Sequence, residues 1–171
     1  YHESIFDSLQ CFARSDTASG LMHLVQARRS VLTTIQQLSG SEAQTSGMVE
    51  PLSRLRSLSQ LELVGRTLES IVDSSEGSSF IESLLDRWGF AGSVDGEELS
   101  LLDNDVNYDM SGQECTIDGS LFRAIHSDFA VKEISLKLLS GKTSHSGVSD
   151  AITAHIFKSC RVYRELGRPD V

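Results

Sequence analysis

Proline occurs only at positions 51 and 169 of this 171-residue chain. Proline locks φ, lacks a backbone donor and clashes with the preceding helical turn, so it breaks helices wherever it falls inside them. At an average frequency of about 5%, several such breaks would be expected in a chain this long. Residues 52–168 contain none, which leaves that stretch free to run as long helices. A mainly α-helical fold is therefore the first expectation.

Apolar spacing supports it. Ile5, Phe6, Leu9 and Phe12 recur at helical intervals and stop near Ser15 and Asp16. Leu21, Leu24, Val25, Leu32 and Ile35 predict a second helix over 20–38, with Arg28 and Arg29 opposite and Gly40 as its stop. Residues 40–49 are small and polar and read as a loop, after which Pro51 suits a first helical turn. Leu52, Leu55, Leu58, Leu61, Val64, Leu68 and Ile71 then form the strongest periodic signal in the chain. Gly65 is expected to weaken it and to mark a break into two helices. Leu63 and Val72 lie off the seam, so this helix offers a second apolar side.

Residues 73–79 read as a turn. Ser79 and Glu82, three apart before Ile81, Leu84, Leu85 and Trp88, match a capping box, and Gly89 is the stop. Thr116 to Phe122 reads as a tight hairpin around Asp118-Gly119. Residues 129–139 fit a helix better than a strand, despite the alternation of Ile134, Leu136 and Leu138. A final helix over 149–166 carries Ile152, Ile156, Cys160 and Tyr163 on one stripe and ends before Pro169. The expected architecture is one domain spanning 1–171, a compact bundle of six or seven helices. An acidic, loop-rich or short β insertion lies near 89–120, which leaves α+β as the alternative class. No internal repeat is apparent.

The charge is unevenly placed. The chain has 15 Lys and Arg against 24 Asp and Glu, a formal −9. Residues 88–122 contain eight acids and no Lys or Arg, so this window holds −8 and the rest only −1. Lys158, Arg161, Arg164 and Arg168 follow at spacings of 3, 3 and 4, a basic face on the last helix. Asp103, Asp105 and Asp109 stand in the acidic window. These seven residues are the candidate partner-binding positions.

Catalytic and metal motifs are wanting. Cys11, Cys115 and Cys160 form no CxxC pair and, as three separated thiols, suit a reducing compartment. The histidines 2, 23, 126, 145 and 155 form no HExxH or HxxxH pair and are expected to be structural or at the surface. Gly141-Lys142-Thr143 resembles the end of a phosphate loop, but Leu136 replaces the required glycine, and 144–147 is a poor helix start. Asp103, Asp105, Asn107 and Glu114 fall on a calcium-loop template whose sixth position is Tyr108 instead of glycine. No Gly-x-Ser-x-Gly elbow or glycosylation acceptor occurs, and no apolar run reaches the roughly 18 residues of a membrane span. The chain starts at Tyr1 without methionine and is expected to be an excised piece. The expectation is a non-enzymatic, cofactor-free adaptor or scaffold domain, cytoplasmic or nuclear, with protein partners and no membrane. A nucleic-acid-associated subunit using the basic face is the second reading, and a calcium-responsive module the third.

Overall fold

A computed structural model describes residues 1–39, 45–73, 77–90 and 119–165. Six α-helices are present: α1 (His2–Ala13), α2 (Thr17–Ser39), α3 (Val49–Asp73), α4 (Gly77–Arg87), α5 (Gly119–Ser140) and α6 (Ser146–Glu165). A 3-10 turn, Thr45–Met48, leads into α3. No strand occurs among the described residues, so the mainly α expectation holds. The acidic insertion, with Asp103, Asp105 and Asp109, lies outside the described residues, as does Arg168.

Helix α3 is central. It packs on α2, α4 and α5, while α1 packs on α2, and α6 packs on α5 and α4. Three neighbours explain why α3 is apolar on more than one side. Leu58, Leu61, Val64 and Leu68 are buried, and Leu63, off the main seam, packs against the same core. Leu52, at the start of the stripe, is exposed. The core continues through Leu24, Ala27 and Val31 of α2, Ile81, Leu84 and Leu85 of α4, Leu136 and Leu139 of α5, and Val148 and Ala151 of α6.

Gly65 does not break α3, which runs unbroken through it. The glycine instead provides room. The Phe12 ring, fully buried, sits against Gly65 of α3 and Gly20 of α2, and a Cβ at Gly65 would lie 2.6 Å from Phe12 Cζ. One aromatic ring thus occupies the meeting point of three helices.

Helix ends are built from backbone and side chains. Asp16 caps α2, its Oδ1 accepting from the Ser19 amide at 3.1 Å; hydrogen bonding from the Ser19 side chain, and then from that amide, holds its carboxyl below the usual carboxylate range. α1 closes with the Asp16 amide on the Cys11 carbonyl (2.9 Å) and the Ser15 amide on Phe12 (3.0 Å), Ser15 taking φ +66°. This is the Schellman closure, normally made with glycine. α4 closes the same way, with Gly89 at φ +73° and the Phe90 amide on Leu85. The expected capping box fails because α4 starts at Gly77, which puts Ser79 inside the helix. The expected hairpin fails too, since Gly119 to Phe122 form the first turn of α5.

Candidate functional site at helix α6

α6 starts where the sequence looked unpromising. His145 acts as its cap: Nδ1 accepts from the Gly147 amide at 3.2 Å, and the His145 carbonyl accepts from Val148 at 3.1 Å. Because Nδ1 accepts, the ring proton of the neutral form sits on Nε2, which faces Glu82 at 3.7 Å. The neighbouring Lys142 binds no phosphate-loop geometry. Its Nζ donates to the Ala13 carbonyl and the Ser15 hydroxyl, both at 2.8 Å, and so closes the C-terminal end of α1.

The face α6 buries is rotated by about a quarter turn from the expected stripe, at ~100° per residue. Val148, Ala151, His155 and Tyr163 are buried, while Ile156 is 51% exposed, and Cys160 is also exposed. Aromatic packing explains the rotation. Phe129 of α5 and Phe90 after α4 approach the His155 ring at 5.6 and 6.1 Å. Tyr163 packs on Phe129 at 5.7 Å, and its hydroxyl meets His126 Nδ1 at 2.8 Å. His126 stacks on Phe122. A ladder of rings therefore joins α5 to α6, with two histidines standing in positions an aliphatic count passes over.

His155 is only 3% exposed, and its Nδ1 has no hydrogen-bond partner. Burial pushes its pKa down, as does the charge of Lys132, against weaker upward pulls from Glu133, the Phe129 backbone and Asp128. Tyr163 is pushed up by burial and by Glu133.

Beside the ladder lies a charged cluster. Asp128 of α5 accepts from Gln60 Nε2 at 2.7 Å and pairs with Arg56 Nε at 3.2 Å, both from α3. It also pairs with Lys132 Nζ at 3.0 Å, one turn further along α5. Lys158 of α6 is half-buried. Burial and then the Lys132 charge lower its pKa, with Asp128 raising it. The predicted basic face is thus divided: Lys158 is half-buried, whereas Arg161 and Arg164 are exposed.

That exposed side is the clearest surface feature of α6. Phe157 is 72% exposed and Ile156 stands beside it. Cys160, Arg161 and Arg164 continue the same surface at helical spacing. From Ala151 to Arg164 the helix contains no acid. A second apolar group, Met22, Val25 and Leu32, is exposed on α2; of the expected stripe Leu24 is buried and Leu21 and Ile35 pack against the core, joined there by Ala27 and Val31. No helix among the described residues is long and apolar enough to cross a membrane. Among the same residues no group of three or more His, Cys, Asp or Glu is placed to hold a metal ion. No protein-family model matches the chain, and no match is found among curated proteins or solved structures.

Proposed function

We propose that this chain is a non-catalytic protein–protein interaction domain that uses the outer face of α6 to receive an acidic, amphipathic helix of a partner protein. The observation that carries this reading is Phe157, 72% exposed on a helix whose other side already packs against α5 and α4. An exposed aromatic with an adjacent isoleucine supplies the apolar centre that docking surfaces need. Arg161 and Arg164 supply a rim that attracts carboxylates and repels a second copy of the same face. The mixture of apolar and basic groups favours protein over nucleic acid, which would be held by phosphate contacts without need of Ile156 or Phe157.

The test is selection of helical peptides from a display library against the chain, followed by fluorescence anisotropy at low and moderate salt. Selected peptides are expected to combine Asp or Glu with aliphatic residues at three- and four-residue spacing. Phe157→Ser or Arg164→Glu should abolish their binding. Peptides without acidic character, or binding insensitive to both substitutions, would overturn the proposal. Salt-sensitive duplex DNA binding that depends on the arginines and not on Phe157 would put a nucleic-acid role in its place.

A further inference from the structure

α2 carries two apolar stripes, and the fold uses only one. Its inner side, Leu24, Ala27 and Val31, is buried, and the helix packs on α1 and α3. A second stripe runs along the outside. Ala18, Met22, Val25, Arg29, Leu32 and Gln36 are all exposed and follow one another at alternating intervals of four and three residues. That spacing is the a/d seam of a heptad repeat, the pattern by which one helix receives another. It extends for about 27 Å along a helix that is unbroken from Thr17 to Ser39. Met22, Val25 and Leu32 make its centre apolar, and Arg29 stands among them.

The charges on α2 identify what fits. No Asp or Glu occurs anywhere in this helix. Arg28 is already paired with Glu62 of α3 at 2.7 Å. Arg29, one position on, forms no ion pair among the described residues. A second copy of α2 would bring Arg29 against its own counterpart when parallel, or against apolar side chains when antiparallel. Neither helix supplies a carboxylate to receive it, and a cation closed into a seam unpaired is costly. A carboxylate beside a partner's seam pairs it instead, and a polar group at a single seam position sets the register.

We propose that the outer face of α2 is a docking surface for one helix of a partner protein, with aliphatic residues on a heptad seam and Asp or Glu flanking it. This surface lies on a different helix from the face of α6 and does not rest on the function proposed for that face. A chain with both faces holds two partner segments at once.

Two synthetic peptides of about three heptads test the proposal, each with Leu at every a and d position, one with Glu and the other with Lys at e and g. Like charges along both edges oppose pairing of either peptide with itself. Fluorescence anisotropy is measured with the full chain and with its Phe157→Ser variant, which removes the α6 face from the readout. The glutamate peptide is expected to bind both proteins, and the lysine peptide neither. In the Phe157→Ser chain, Val25→Ser should weaken binding about tenfold, the loss of one apolar anchor. Arg29→Glu should reverse the preference, so that the lysine peptide binds and the glutamate peptide does not. Glutamate-peptide binding that is lost with Phe157→Ser alone belongs to α6 and overturns the proposal. Binding to the Phe157→Ser chain that survives both Val25→Ser and Arg29→Glu overturns it as well. So does a concentration-dependent dimer that Val25→Ser abolishes, which assigns the face to a second copy.

Discussion

Phe12 and Gly65 share one volume: the ring of the first occupies the space that a side chain on the second would need, 2.6 Å from a Cβ to Cζ. The contact joins α1 to α3 across α2. Its tightness cannot be relieved by rotating a flexible side chain, because the ring is buried on every side. Gly65→Ala is therefore expected to destabilise the domain by about 1–3 kcal/mol, even though alanine is the better helix former by about 1 kcal/mol. Phe12→Ala should cost about 3–5 kcal/mol. Combining Gly65→Ala with Phe12→Leu should cost less than the two single changes summed, since each relieves the other. Urea unfolding of the four proteins measures this, and strict additivity would show that the two residues do not compete for space.

Ser8 and Ser135 bury their hydroxyls completely, and neither Oγ has a hydrogen-bond partner. Desolvating a hydroxyl without replacing its bonds to water costs about 1–3 kcal/mol by mutational measures. Ser8→Ala and Ser135→Ala are each expected to stabilise the fold by about 1 kcal/mol, visible as a shift in the urea midpoint without a change in slope. A loss of stability in both would mean that the hydroxyls are satisfied.

His155 makes stability depend on pH. Its folded pKa lies below the ordinary 6.5, mainly through burial. Between those two values the unfolded chain holds the proton and the folded chain does not, so acid favours unfolding. Stability should be full above about pH 6.5 and fall as pH drops toward the folded pKa, with a slope of at most about 1.4 kcal/mol per unit for one proton. The carboxyls of Asp16 and Glu133, also lowered, act only below their ordinary values of 3.8 and 4.5. Unfolding measured from pH 7.5 to 5 should therefore show a decline that His155→Leu removes. Parallel profiles for the two proteins would rule it out.

Lys142 closes α1 from a distance of 129 residues along the chain. Lys142→Met should cost about 1 kcal/mol, the scale of a hydrogen bond to a charged donor reduced by exposure. Ser15→Gly has two opposing effects: it relieves the positive φ, worth about 1 kcal/mol, and removes a hydroxyl that accepts from Lys142. The substitution is expected to be stabilising in the Lys142→Met background and nearly neutral in the parent chain. Thermal unfolding of this four-member cycle checks both.

Much of the fold was legible because leucine spacing in α3 and the lack of proline are strong, local signals. The buried face of α6 was legible only in part, and that of α2 was legible at Leu21, Leu24 and Ile35 but not at Val25 and Leu32. In α2 the interior positions go to Ala27 and Val31 while Val25 and Leu32 face outward, because a helix wedged between two others needs small residues at its closest approach. In α6 the interior goes to a histidine and a tyrosine held by rings from other elements, which no count of aliphatic residues detects. The candidate site was half legible for the same reason. Spacing alone places Lys158, Arg161 and Arg164 together, but the actual rotation of α6 half-buries Lys158 and exposes Phe157. The Lys142 contact depends wholly on tertiary placement, and no sequence signal could have assigned it.

The position of α3 among its neighbours has a kinetic consequence. Its contacts with α2 and α4 are made by elements adjacent in the chain, and α5 meets α6 in the same way, whereas α3 meets α5 across residues 74–118. The first four helices and the last two are therefore expected to assemble locally, with their docking along α3 and α5, and α4 and α6, as the slow event. Because closure entropy grows only logarithmically, doubling the span between the groups should cost about 0.6 kcal/mol. Inserting a flexible glycine–serine stretch between positions 100 and 101 should lower the folding rate less than threefold and leave the unfolding rate unchanged. If so, the union of the two helical groups, more than the formation of either, sets the time the chain takes to reach its native state.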